Sequence, residues 1–216
     1  NAVGNNIVNR RYIHNRIGGI MITLHANGTI EGIDNSNFNS SLPAGHVLQV
    51  VQTIKKDVFE TSVYSGQGYT LITGLAASIT PTSASSKILV MANIVGSCTR
   101  AKWSGIRLYK GGAAVTDAIS TTATWGSAPT DDGHKTNNNF ITIGYNPDNT
   151  HGDNIAYNQS AQYLDTAGSA SEITYDLRIC GRESGTTSYI NKGVITASSD
   201  ATIGGVSTLT LTEISV

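Results

Sequence analysis

Short stretches that alternate apolar with polar residues, or run apolar, recur along the chain between clusters of Gly, Asn, Ser and Thr. That spacing belongs to strands of a sandwich or barrel. HVLQVVQTI, VFETSVY, YTLITGLAASI and KILVMANIVGS come first. WSGIRLY, Gly111-Gly112 and AAVTDAI then read as a hairpin, with Ile106 and Leu108 on one face and Arg107 and Tyr109 on the other. NFITIGY, IAYNQSAQYL, EITYDLRIC, GVITAS and VSTLTLTEISV complete a set of roughly eight to ten strands. No segment between them carries a helical period, and the missing βαβ alternation excludes doubly wound folds.

One stretch departs from simple alternation. In ITPTSASSKILVMANIVGS, residues 79–97, a stiff polar turn around Pro81 stops at Lys87 and a nearly continuous apolar run follows. A strand in a one-sided sheet alternates, so apolarity on both faces predicts cover on both sides, the second supplied by another subunit. A monomer would leave part of this surface bare, and large bare apolar patches are unusual on soluble monomers. Ile88, Val90 and Met91 are therefore expected at a subunit interface, with Leu209 and Leu211 of the last strand.

Residues 1–41 are patterned differently. They are rich in Asn and Gly, hold a hairpin signal at Asn27-Gly28 inside IMITLHANGTIEGI, and end in the loop-like DNSNFNSS. Their apolar content is too small for an independent core, so they are expected to pack on partner chains as an attachment or shaft segment. Leu42-Pro43-Ala44-Gly45 opens the main domain, residues 42–216.

Composition sharpens this division. The 216 residues are 39% hydrophobic but only 13% charged, about half the usual charged share, with 23 Gly and 4 Pro. Thr, Val, Ile and Tyr suit pleated sheets, and the polar surface is built from Asn, Ser and Thr. A net charge of −1 argues against a duplex nucleic-acid binder. The basic cluster of Arg10, Arg11 and Arg16 in RRYIHNR reads as a local contact, the expected point of attachment. No apolar run approaches the ~18 residues of a membrane span. The chain begins at Asn1 rather than Met, which allows for residues upstream. Cys98 and Cys180 lack metal-ligand spacing and read either as a pair on neighbouring strands or as two buried thiols.

Asp131-Asp132 would point to opposite faces of a strand, and in TDDGHKTNNN they read as turn residues, not as a carboxylate pair across a glycosidic bond. NPDNTHGDN gathers oxygen donors around His151 but lacks the ligand spacing and bidentate Glu of a Ca²⁺ loop. No Gly-x-Ser-x-Gly elbow is present. No catalytic residue, metal or cofactor is expected. Trp125 lies in the polar STTATWGSAPTDDG, where it reads either as a carbohydrate or protein contact or as a ring folded back over the sandwich end. Trp125, Asp131, Asp132, His134, Tyr145 and His151 are the expected binding residues, because recognition collects on loops of a rigid sandwich.

Three motifs carry a resemblance to known proteins. Gly74, Leu75, Ile79, Thr80 and Pro81 form a Gly-Leu-x-x-x-Ile-Thr-Pro turn. Ser85, Ser86, Lys87, Ile88, Leu89 and Val90 form a Ser-Ser-Lys-Ile-Leu-Val strand, and Leu211, Glu213 and Ile214 close the chain. Over residues 42–216 the sequence resembles virion proteins of tailed bacteriophages, especially those infecting marine bacteria. The resemblance implies a jelly-roll sandwich of the tumour-necrosis-factor and complement-globular kind, an immunoglobulin-like sandwich being the nearest alternative. It also implies a homotrimer located on the virion. The expected function is that of a non-enzymatic fibre or fibre tip that binds host-surface glycan or protein. The alternative is a capsid decoration or connector protein, and a polysaccharide-degrading fibre enzyme is a distant third. Other virion proteins are the expected partners of residues 1–41, with no role for nucleic acid or membrane insertion.

Overall fold

The computed structural model describes residues 13–17, 20–24, 30–31, 43–64, 67–99, 103–118, 139–143, 156–193 and 204–216. They are almost wholly β, with one 3-10 turn at Thr116–Ala118 and no α-helix among them. In the N-terminal segment β1 (Ile13–Ile17), β2 (Ile20–Leu24) and β3 (Ile30–Glu31) form an antiparallel meander. Leu24 pairs with Ile30, so the two strands expected to flank Asn27-Gly28 do meet.

The remaining strands make two antiparallel sheets packed face to face, an all-β sandwich. In the first sheet, β14 (Ser207–Ile214) lies between β4 (Val47–Lys55) and β7 (Lys87–Cys98). β11 (Tyr157–Thr166) pairs with the other side of β7, and β13 (Ser188–Ile190) joins β7 to β5 (Phe59–Thr61). The second sheet has the order β10 (Ile141–Ile143), β8 (Ser104–Lys110), β12 (Ile173–Gly181), β6 (Thr70–Ile79). β9 (Ala113–Ala114) folds back on β8 around Gly111 and Gly112, whose φ of 55° and 84° suit a two-residue hairpin turn.

Period-two patterning explains the core. Ile72, Leu75 and Ile79 of β6, Leu108 of β8, and Tyr175 and Leu177 of β12 are buried against Ile88, Val90 and Ile94 of β7 and Leu209 and Leu211 of β14. The apolar run of β7 is an alternating strand after all. Ile88, Val90, Ala92 and Ile94 point inward, while Leu89, Met91, Asn93 and Val95 lie on the outer face, with Met91 36% exposed. Ile88, Val90, Leu209 and Leu211, expected at a subunit interface, are thus buried in the chain's own core, and only Met91 of the five faces outward. The structure corrects that expectation because each inward position already has cover from the opposite sheet. β13 was not anticipated, because three residues are too few to show a period.

Two polar ties fix the sheets at their margins. At one, Asp165 Oδ2 of β11 accepts a hydrogen bond from Tyr175 of β12 and pairs with Lys110 Nζ of β8, both at 2.7 Å. At the other, the fully buried Glu213 carboxylate accepts from Thr82 N (2.7 Å), Thr82 Oγ1 (2.6 Å) and Gln49 Nε2 (2.6 Å). Gln49 Nε2 also donates to Thr80 O at 2.7 Å. The polar turn after β6 is therefore pinned to the last strand and, through it, to the first strand of the sandwich.

Burial alone would raise the Glu213 pKa, but hydrogen bonds from Thr82, Gln49 and Ser86 outweigh it and hold the carboxyl below the ordinary 4.5. A depressed folded-state pKa contributes stability that is present above the unfolded pKa and lost as pH falls through the folded one. Thermal melts between about pH 6 and pH 3 should show the wild-type midpoint falling at the acid end, with a shallower fall for Glu213→Gln. Glu213→Leu strands buried donors and should cost about 3 kcal/mol by urea unfolding at neutral pH. A loss below about 0.5 kcal/mol would show that the tie contributes nothing to stability.

Candidate functional site

The expected binding residues Trp125, Asp131, Asp132, His134, Tyr145 and His151 lie outside the described residues, as do Arg10 and Arg11. Arg16 is in β1, paired with Met21. Within the described residues, two outer sheet faces of contrasting character offer surface for recognition.

The outer face of the first sheet is a regular grid set by strand register. Val50, Thr212, Leu89 and Leu164 form one row across β4, β14, β7 and β11. Gln52, Thr210, Met91 and Gln162 form the next, and Ile54, Thr208, Asn93 and Ser160 the third. None of these side chains is charged. Val50 is 58% exposed, Leu164 53% and Ile54 50%. A shallow depression of about 550 Å³ lies between Met91, Asn93, Ser160, Gln162, Thr208 and Thr210. Such a surface offers amides, hydroxyls and apolar contact but no group to transfer a proton, and it suits another protein surface.

The outer face of the second sheet carries charge and rings instead. Arg107 of β8 pairs directly across the ladder with Arg178 of β12. The Arg107 guanidinium stands 4.4 Å from the centroid of the Tyr69 ring, and that of Arg178 stands 4.1 Å from Tyr109. Arg178 Nε donates to Asp176 Oδ1 at 2.7 Å. Tyr69 in turn donates to Asn139 Oδ1 at 2.7 Å. Asn139 lies flat against Gly105, where a Cβ would fall 2.2 Å from Asn139 Oδ1, so only glycine admits this packing. Cys180, the cross-strand partner of Gly105, is buried, and Tyr69 reaches it by hydrogen bond. Sequence patterning placed Arg107 and Tyr109 on one outer face but could not show that Tyr69, from the preceding loop, joins them.

Neither cysteine is held as a thiolate. The two lie on different sheets and form no disulfide. Burial pushes the Cys98 thiol up to about 11 and raises that of Cys180 as well, so both stay protonated at neutral pH. The described residues contain no group of three or more His, Cys, Asp or Glu able to hold a metal ion. No helix among them is long and apolar enough to cross a membrane.

No protein-family model matches the chain, and no curated protein matches it.

The contact between Tyr69 and Cys180 yields a direct test. In a Cys98→Ser background, Tyr69→Ala should speed modification of Cys180 by an aromatic disulfide reagent at least about tenfold. Tyr69→Phe, which keeps the ring and loses only the hydroxyl with its hydrogen bonds to Asn139 and Cys180, should change the rate far less. Equal rates for Tyr69→Ala and the parent would mean that something other than Tyr69 shields the thiol.

Proposed function

We propose that this chain is a non-enzymatic virion protein of a tailed phage, a trimeric fibre or fibre-tip module with a jelly-roll domain over residues 42–216. The observation that carries the reading is the strand order. With β4/β5 taken as the first strand and β13/β14 as the eighth, one sheet reads first, eighth, third, sixth. The other reads second, seventh, fourth, fifth. Two Greek keys wound together give that interleaving. The motifs behind the resemblance also converge: Thr80 and Ser86, from one turn, and Glu213, far along the chain, belong to one hydrogen-bonded tie. The shared residues thus specify a fold margin, as expected of a family that keeps its scaffold and varies its loops.

Self-association is assigned to the uncharged outer face of the first sheet. Two copies meeting over these three rows face no like-charge repulsion, Lys87 lying in the next row where it donates to Thr166, and Gln, Asn, Ser and Thr side chains both donate and accept. Met91, Leu89, Val50 and Leu164 supply the apolar contact. The resemblance selects three copies. Residues 1–41, with Arg10, Arg11 and Arg16, attach the domain to other virion proteins, and the loops holding Trp125, Asp131, Asp132, His134, Tyr145 and His151 meet host-surface glycan or protein.

Sedimentation should report a trimer at micromolar concentration, and Met91→Asp should yield a folded monomer. A wild-type monomer, or a Met91→Asp trimer, overturns the assembly. An antibody to this chain should decorate tail fibres in electron micrographs of phage particles. A regular array over the head would favour the decoration role, and unlabelled particles would overturn the virion reading. Removing residues 1–41 should abolish incorporation while leaving a folded head. Trp125→Ala with His134→Ala should spare incorporation and weaken attachment to cells, and unchanged attachment would sink the adhesive role.

A further inference from the structure

Sandwiches protect the open edges of their sheets, because a free row of N–H and C=O groups is a template for another strand. The second sheet follows that rule. Its edge β10 is three residues long, and its other edge, β6, is broken by a register shift opposite Asp176 and Arg178, beside Gly74 at a φ of 86°. The first sheet does not follow it. β11 runs for ten residues in unbroken register with β7 and contains no Pro, Gly, Lys or Arg. β4 runs regularly from Gln49 to Lys55 beside β14, and among the described residues neither strand has a ladder partner on its free side. The charged residues of these stretches, Lys55 and Asp165, stand near strand ends and are already paired, with Asp57 and Lys110. Where an edge usually carries charge, β4 exposes Val50 and Ile54, and β11 exposes Leu164. The inward residues of β11 are also only half-buried, whereas Ile88, Val90, Ala92 and Ile94 of β7 are buried.

We infer that the first sheet continues from one copy of this chain into the next, β11 hydrogen-bonding to β4 of the neighbouring copy, so that three copies close a three-sided prism. The inference rests on the trimeric reading and supplies backbone bonds that hold it together. Each neighbour in the series β11, β7, β14, β4 is antiparallel, so the two edge strands run in opposite directions. A rotation about an axis along the strands preserves those directions, and β11 therefore meets the next β4 as an antiparallel partner. The same rotation keeps each residue at its height, so every row of the grid meets its own beginning. Leu164 falls against the next copy's Val50, and Gln162 against its Gln52, joining apolar to apolar and amide to amide. Pairing β11 with β11 about a two-fold axis would leave β4 open, whereas the head-to-tail contact satisfies both edges and closes. Four strands about 4.8 Å apart make a side of about 19 Å, which sets the axis about 6 Å from each sheet. Half the usual spacing of packed sheets is about 5 Å, so the three uncharged grids fill the centre without a channel. Lys87 opens β7, so its ammonium lies at the mouth of the prism rather than inside it.

Engineered cysteines test the corner of the prism. In a Cys98→Ser, Cys180→Ser background, the full chain carrying Val50→Cys and Leu164→Cys should oxidise to three linked chains on a non-reducing denaturing gel, with nothing larger. Directly opposed cross-strand residues have Cα atoms about 4.5–5.5 Å apart, within reach of a disulfide. Either substitution alone should leave the chains unlinked. Both positions are exposed in a single copy, so the fold tolerates the changes. Hydrogen exchange supplies a second readout. Amides in 157–166 and 49–55 should exchange at least about tenfold more slowly in wild type than in Met91→Asp, with 70–79 of the other sheet unchanged. A trimer showing neither the cross-link nor the added protection overturns edge pairing and leaves a trimer held by its faces alone. A wild-type monomer overturns both. An Ala161→Cys variant that links into pairs by itself would set β11 against β11 and overturn the head-to-tail contact. A ladder extending beyond three chains would overturn the closed ring.

Discussion

A single buried carboxylate organises this sandwich. Glu213 sits without solvent contact where three distant pieces of chain meet, and its oxygens are saturated by Thr82 and Gln49. Taking a charge out of water is costly, and only a full set of donors offsets the cost. The arrangement is therefore specific: the turn around Pro81 must adopt one conformation to present Thr82, and β4 must keep its register to present Gln49. Everything downstream follows from that register, including which β4 side chains face the core and which form the uncharged outer grid.

Much of the sandwich could be read from patterning. β4, β6, β8, β11, β12 and β14 fall where the apolar runs and turn residues put them. Strand β7 shows the limit of that reading. Its outward Leu89, Met91 and Val95 make a period-two strand look like a doubly covered one, because sequence does not distinguish an apolar residue in a core from one on a bare face. The functional surfaces were less legible. The Arg107 and Tyr109 face was visible as an alternation, but its completion by Tyr69, Asn139 and Arg178 depends on strand pairing between residues far apart in the chain. The glycine at 105 looked like any strand glycine; its role is to leave room for Asn139.

The two outer faces divide physical labour. One sheet turns amides, hydroxyls and bare apolar groups outward, chemistry that tolerates a large dry contact. The other turns stacked cations and rings outward. Their inner faces are alike, mostly Ile, Leu, Val and Ala, so the difference between the outer faces lies in alternate positions of the same strands. A pleated sandwich allows this, since core and surface residues are interleaved one by one and can be chosen independently.

The placement of β14 has a consequence in time as well as in space. It lies between β4 and β7, and the contact of Glu213 with Gln49 spans 164 positions. A ribosome delivers β4 and β7 long before it delivers the strand that belongs between them. Until then the two carry a gap of unpaired backbone, an open template for any passing strand. Strongly non-local pairing of this kind slows folding and lengthens that exposure. The low charge that suits the finished outer face gives little electrostatic protection meanwhile, so this chain's hazard is greatest in the interval before its last strand arrives.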